Sequence, residues 1–381
     1  MLRKGIRIGL GGILALTFIL RLDTAMAQSG QTITDAASGV RYTVERVMAA
    51  NYPVALAFAP DGRLFYTEKI TGNVRVVSAG GELQPEPVLT LATDALVERG
   101  MLGIALDPDY EENGFIWIFH TAVGTSREYP TNTVVRFHEA DGVGSDPQVM
   151  WAVPIDNGNV VHNGGNLVFD ADGYLFVSMG DYGDPANAQN LDTPQGAIHR
   201  FEVTDEGLIP APDNPFEDSS IYAYGLRNPF DLTIDPVTGR VYATENGPSC
   251  DDEVNMILPG WNYGWGLNYV CGETAPDIDQ TRYLDPLISI TPTRAPTGIL
   301  FYTHEAVPEW ENDLFYCTWT DGALHRVVLN EARTAVAAEY EMNLGDGRCG
   351  NDVAVSPDGS LYMTVADENG GHIDRLIPQE S

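Results

Sequence analysis

Basic residues are scarce in this chain: 21 Lys and Arg stand against 54 Asp and Glu, a formal net charge of −33 over 381 residues. No run of cations occurs. That excludes nucleic acid as a partner, because its phosphates need Lys and Arg, and it argues against docking on an anionic membrane surface. Lysine is nearly absent, with only Lys69 beyond Lys4. Long apolar runs are missing after the first twenty or so residues, so no later segment is long enough to span a bilayer. There is no nucleophile elbow, no Ser-His-Asp order and no phosphate-binding glycine loop. The chain does have a 44% hydrophobic content, enough for a sizeable core, and 39 Gly and 24 Pro scattered along its length. Such scattering implies many turns between short elements, which favours β architecture over a helical bundle.

The first 27 residues read as an export signal. Arg3, Lys4 and Arg7 form a basic start, Ile8 to Leu20 an apolar stretch, and Ala25-Met26-Ala27 a small-x-small cleavage pattern. The apolar stretch is short for a span of about 20 residues, so the expectation is cleavage, a mature chain from Gln28 and no membrane anchor. The expected location is periplasmic or secreted. Removing residues 1–27 leaves 17 basic and 53 acidic residues. A surface this acidic stays soluble at high ionic strength, where counterions screen its self-repulsion. Export also makes the four cysteines readable as disulfides. Spacing leaves all three pairings open and is not that of a zinc cluster.

A strand, turn, strand phrase recurs six times. It runs from Pro60-Asp61-Gly62 into Arg63 to Tyr66, then through Asn113-Gly114 into Phe115 to Ile118, and through Asp172-Gly173 into Tyr174 to Val177. Thr238-Gly239 into Arg240 to Ala243, Asn312-Asp313 into Leu314 to Cys317, and Asp358-Gly359 into Ser360 to Tyr362 complete the set. A tight turn before alternating apolar residues signals a hairpin, and recurrence at this period signals blades that stack around an axis. The expected fold is all-β, a six-bladed β-propeller, in one domain spanning residues 28–381. Arg41 to Val47 has no repeat of its own and should join the last blade and close the ring. The longest insertions follow the third and fourth copies. Cys317 on the fifth copy and Cys349 just before the sixth would meet across adjacent blades, leaving Cys250 to pair with Cys271.

Four motifs stand in the connections. His162-Asn163-Gly164-Gly165 offers an imidazole beside two glycines that let backbone or ligand approach closely. Gly225 to Phe230 carries Arg227 and Asn228 ahead of Pro229, donors suited to an anionic or carbonyl-rich ligand. Asn246 to Glu253, followed by Asn262-Tyr263-Gly264-Trp265, combines carboxylates with Gly and Pro carbonyls, an oxygen set fit for a hard cation such as calcium, though not with EF-hand spacing. Glu98-Arg99-Gly100-Met101-Leu102-Gly103 on its own reads as a surface ion pair.

In this order, on six repeats, these motifs resemble the soluble quinoprotein glucose/aldose sugar dehydrogenases (glucose/sorbosone dehydrogenase-like). These are six-bladed propellers that use pyrroloquinoline quinone (PQQ) and calcium. The resemblance covers essentially the whole chain after the leader, and it implies an oxidoreductase that oxidises an aldose at C1 to the lactone and passes electrons to a quinone or other external acceptor. It implies His162 as general base and Arg227 as the residue that polarises the quinone, with Asn228 beside it. Glu98 falls where a glutamine often contacts the cofactor. Gly247 and Pro248 fall where carbonyls hold calcium, Glu253 and Tyr263 at other calcium positions. The Cys250–Cys271 bridge would then clasp the metal loop. Two departures stand out: Thr320 occupies the position of a fifth-blade lysine, and Cys349 and Asn351 occupy those of a sixth-blade Arg-x-Arg pair. Arg348 or Arg294 would have to supply the cofactor-binding charge. Two other readings compete: a calcium-dependent lactone or ester hydrolase, and a non-catalytic binding propeller that has lost the quinone.

Overall fold

The structure, a computed structural model, describes residues 30–379 apart from 126–127, 157, 274–277 and 368–369. The expected leader and its cleavage site therefore lie outside the described residues. Among the described residues no helix is long and apolar enough to cross a membrane.

Six antiparallel sheets form the blades of a propeller. Blade 1 comprises Pro53–Phe58, Leu64–Glu68, Asn73–Val77 and Leu89–Thr90, and blade 2 comprises Met101–Leu106, Phe115–Ala122, Thr131–Ala140 and Val143–Pro154. In blade 3, Leu167–Phe169 and Leu175–Met179 precede Ala197–Val203, which pairs with both Leu208–Pro210 and Ile221–Tyr224. Blade 4 is Pro229–Ile234, Val241–Glu245, Asp252–Ile257 and Ile288–Ile290; blade 5 is Pro296–Phe301, Leu314–Thr318, Ala323–Leu329 and Val336–Met342. Blade 6 has Val353–Val355, Leu361–Asp367 and Gly370–Pro378; Arg41–Ala49 joins it as the fourth strand, as the sequence predicts, and the short Ile33–Thr34 strand lies outside that. Tyr42 pairs with Pro378 and Ala49 with His372, so the two ends of the chain close the ring. The Glu45–Arg375 ion pair, 2.5 Å, spans the same seam.

Side chains alternate across a strand, and here both faces are buried, one against each neighbouring blade. In Leu64–Glu68, Phe65 packs with Ile104 and Ile118 of blade 2, whereas Leu64 and Tyr66 pack with Ile373 of blade 6. In Val241–Glu245, Tyr242 packs with Phe301 and Leu314 of blade 5, and Val241 and Ala243 with Phe176 and Ile198 of blade 3. Each such fully buried large side chain contributes about 1.5–3 kcal/mol, and six seams of this kind form the core.

Near the axis, polar stitches reinforce the seams. Thr67 donates to the Leu102 carbonyl, Thr244 to Thr297, Thr297 to Gly350 and Thr364 to Val54, each reaching the next blade within 3.0 Å. Asp231 accepts from the Ile299 amide and Asp352 from the Leu56 amide in the same sense. Both disulfides form in the pairing expected from the repeats, Cys250–Cys271 with Cα atoms 5.9 Å apart and Cys317–Cys349 with 5.2 Å.

Candidate active site

Each blade's first strand starts, and its second ends, at one end of the propeller, so the loops between blades gather there with the second-to-third strand turns. The sequence motifs lie in or next to those loops, except Asn262 to Trp265, which stands in the long connection between the third and fourth strands of blade 4 and reaches the same end through the Trp265–Asp181 hydrogen bond. A cavity of about 320 Å³ opens among them on the axis. Its walls mix Tyr52, Val54, Leu102, Phe230 and Trp319 with Lys69, Glu98, Asn163, Asn228, Asn246, Asn351 and Asp352. Beside it, a smaller cleft is lined by Arg227, Glu245, Gly247, Pro248, Glu253, Tyr263, Trp265 and Tyr269.

The His162 loop is held by close backbone packing. A Cβ on Gly164 would lie 2.9 Å from the Gly180 nitrogen, and one on Gly165 would lie 2.7 Å from the Phe119 ring; both glycines also have positive φ. The expected close approach is thus between chain segments. Asn228 Oδ1 accepts from the Gly164 amide at 3.0 Å, and Glu98 Oε2 accepts from the His162 amide at 2.5 Å. Two of the predicted cofactor contacts, Asn228 and Glu98, therefore line the channel and also fix the imidazole's loop.

His162 Nδ1 lies 2.6 Å from Asp181 Oδ1. Asp181 is fully buried; its Oδ1 also accepts from the Gly183 amide, and its Oδ2 accepts from Trp265 Nε1 at 2.7 Å. With a carboxylate on Nδ1, the ring carries its hydrogen there and presents the Nε2 lone pair as a base. The imidazole is 13% exposed, and His162 itself is not among the residues lining the channel cavity, whereas its neighbours Asn163, Gly164 and Gly165 are.

Arg227 adjoins this pair. Its guanidinium lies 5.5 Å from the centroid of the Trp265 ring, and its Nη1 donates to the Asn246 carbonyl at 2.8 Å. The Arg227 carbonyl accepts from the Asp181 amide, and the amides of Arg227 and Asn228 both donate to Glu245 Oε1 at 2.7 and 2.8 Å. Trp265 thus touches both the His162–Asp181 pair and Arg227.

The four predicted metal residues, Gly247, Pro248, Glu253 and Tyr263, come together in the smaller cleft. Glu253 and Glu245 are direct cross-strand partners. Burial pushes the Glu253 carboxyl up to about 7, with Asp251 and Asp252 adding to the effect. Burial, opposed by the backbone amides that bind it, pushes Glu245 well above the usual carboxylate range, and the Glu253 charge adds to the rise. Glu245 Oε2 is buried without a hydrogen-bond partner. Two facing carboxylates, an orphaned carboxylate oxygen and backbone carbonyls fit a hard divalent cation. The Tyr263 phenol donates to the Met256 carbonyl and accepts from the Leu258 amide, so an ion would take the residue's main-chain oxygen. Cys250 and Cys271 are oxidised, so they offer no thiolate.

The predicted compensating arginines lie elsewhere. Arg348 is exposed and packs over Gly322 in blade 5, and Arg294 is committed to Asp321 and Glu341. Asn351 lines the channel and donates to the Pro53 carbonyl, and Cys349 is fully buried in its disulfide.

The Glucose / Sorbosone dehydrogenase family model matches residues 50–375. The chain belongs to this family. Like it, this glucose/sorbosone dehydrogenase homologue is an oxidoreductase, a sugar dehydrogenase of the quinoprotein type. It is 30% identical over 351 residues to the aldose sugar dehydrogenase YliI of Escherichia coli, covering 86% of this chain and 91% of the relative. To quinoprotein glucose dehydrogenase B of Acinetobacter calcoaceticus it is 26% identical, with 84% of each chain covered. A solved PQQ-bound aldose sugar dehydrogenase from Streptomyces coelicolor superposes with a TM-score of 0.72 at 26% identity, over 89% of this chain and 98% of that one. Neither the hydrolase nor the binding-propeller reading is favoured by family membership.

Sequence reasoning named Glu98, His162, Arg227 and Asn228 but missed Asp181 and Glu245. Asp181 stands just past the Leu175–Met179 strand in Gly180-Asp181-Tyr182-Gly183, and Glu245 ends the Val241–Glu245 strand. A carboxylate at the mouth-end terminus of a blade's second strand is the signal that would have found both.

Proposed function

We propose that this protein oxidises an aldose at C1 to the lactone, using PQQ and calcium, and hands the electrons to an external acceptor. The observation that carries the reading is the buried Asp181 carboxylate holding His162 Nδ1 near Arg227, next to the axial cavity that Asn163, Gly164 and Gly165 line. When bound, PQQ supplies a two-electron acceptor and calcium a Lewis acid. His162 Nε2 takes the proton of the anomeric hydroxyl, and the C1 hydrogen leaves with its electron pair. Asp181 keeps the imidazole in the required tautomer and stabilises the imidazolium that forms. Arg227 is placed to stabilise negative charge developing on an oxygen at the mouth. Gly247 and Pro248 carbonyls with Glu253 and the Tyr263 carbonyl would hold calcium, and Asn228 and Glu98 would face the cofactor. Arg348 keeps a place only as an outer contact, since it lies on the exposed rim. The leader pattern and two disulfides support a periplasmic or secreted location.

Dialysed protein should bind PQQ in the presence of calcium and reduce a dye with aldoses. His162→Ala should keep the cofactor's visible spectrum and lose about 10²–10⁴ in rate. Parent-rate oxidation by that variant would remove the assigned base, and a parent that binds no PQQ would remove the cofactor assignment.

A further inference from the structure

The cavity wall contains a cation that no motif pointed to. Lys69, which follows the blade 1 strand Leu64–Glu68, is 8% exposed and is the only cationic side chain lining the axial cavity among the described residues. Its seat is built for it. Gly100 has φ +155°, and a Cβ there would lie 2.4 Å from Lys69 Cγ, so this glycine lets the lysine stem pass. The ammonium sits 5.1 Å from the centroid of the Tyr52 ring, another wall residue. Its hydrogen bond to the Ala95 carbonyl is long, 3.4 Å. An ammonium has three hydrogens to donate, and burying it so sparsely partnered is costly. Burial lowers its pKa, while Glu98 and Asp94 act to keep it charged.

Among the described residues, the other cations at this end have other partners or lie outside the cavity wall, Arg348 on the exposed rim among them. Arg294 is held by Asp321 and Glu341, Arg99 by Asp94 and the Asn159 carbonyl, and Arg227 by the Asn246 carbonyl beside the cavity. Asn351, at one of the two positions where the resemblance implies an arginine, lines the same cavity and bonds to Pro53 of blade 1, so that position borders Lys69's own blade. We propose that Lys69 is the carboxylate-binding residue of the channel, supplying from blade 1 a cationic contact that Thr320, Cys349 and Asn351 do not provide. The ligand group it binds is a carboxylate. That this carboxylate belongs to PQQ rests on the function proposed above; the carboxylate site itself rests on the cavity.

Two lysines in the full chain make the test direct. Protein labelled with ¹³C at lysine Cε gives a side-chain signal for Lys69, identified by its loss in Lys69→Met. Saturating PQQ with calcium should shift that signal. Lys69→Met should weaken PQQ binding, read by calorimetry, about ten- to a hundredfold, the loss expected of one charge-assisted contact, at an unchanged melting temperature. Lys69→Arg should recover part of it. PQQ that binds without moving the signal, or binds Lys69→Met as tightly as the parent, overturns the proposal. If the parent binds no PQQ, isophthalate decides: a shifted Lys69 signal keeps the carboxylate site and discards the cofactor reading, and an unmoved signal discards both.

Discussion

Glu253 and Glu245 face each other across the second and third strands of blade 4, Glu245 buried and Glu253 half-buried, and only the Arg227 guanidinium nearby acts to offset the Glu245 charge. Their titration therefore couples stability to pH and to metal. Burial first, then Asp251, Asp252 and Asp285, pushes Glu253 from 4.5 up to about 7. Below pH 4.5 the carboxyl is protonated in both folded and unfolded chains, and no stability is lost. Between 4.5 and 7 the unfolded chain ionises while the fold still holds its proton, so metal-free stability falls as pH rises. Above 7 the loss is complete, about 3 kcal/mol for this group, or about 4 °C in a chain this long. A divalent cation replaces the proton and removes the penalty. Thermal melts in metal-free buffer and in calcium, at pH 5 and pH 8, for the parent and Glu253→Gln, measure each part. The parent should gain more from calcium at pH 8 than at pH 5. In metal-free buffer Glu253→Gln should gain on the parent by about 3 °C between pH 5 and pH 8, since part of the loss has already occurred at pH 5. Equal calcium effects at the two pH values, with a parent–variant difference that does not move, would refute the reasoning.

Asp181→Asn should cost more activity than its size suggests. Its oxygen can still face His162 and the Gly183 amide, but its NH₂ then meets the Trp265 indole N–H donor to donor; the flipped amide puts the imidazole in the wrong tautomer. A fall in kcat of about 10²–10⁴ is expected, with a changed pH–rate profile and little change in PQQ affinity; a parent-like kcat and profile would count against the assigned pair. Replacing both Cys250 and Cys271 by Ala should lower stability by about 3 kcal/mol and weaken calcium binding, because the bridge closes the 21-residue separation that carries Glu253 and Tyr263. Denaturant melts and calcium titration check this, and undiminished calcium affinity would show that the bridge does not shape the metal loop.

The blades were legible because each is announced locally. A turn residue pair before alternating apolar residues needs only neighbours in sequence, and six copies imply a ring. The closing strand followed from the one alternating segment without a repeat, and the disulfides from which repeats carry the cysteines. His162, Arg227, Gly247 and Glu253 stood out because unusual neighbours flank them. Asp181, Glu245 and Lys69 did not. Two are single acids among 54, and their meaning comes from partners supplied by other segments: Asp181 from the His162 and Trp265 loops, and Glu245 from the facing strand and the Arg227 turn. Lys69 was conspicuous only by composition, and its use depends on Gly100, which lies at the start of the next blade. The expected roles of Arg348 and Arg294 followed from charge type alone. In the structure both lie against the turn between the second and third strands of blade 5, Arg348 over Gly322 and Arg294 paired with Asp321.

Glu45 and Arg375, 330 residues apart, pair across the seam where the first long strand completes the last blade. A chain emerging vectorially during synthesis can form blades 1 to 5 as it goes, but until the final segment appears Arg41–Ala49 has only the two-residue strand Ile33–Thr34 beside it. For nearly the whole of synthesis the ring therefore stays open, with the unpaired edge of Arg41–Ala49 exposed and the inner face of blade 1 uncovered. Such an edge is a template for pairing with another chain. Truncation of even the last ten residues should thus do more than shorten a terminus: it leaves an open spiral with a free strand at its leading end.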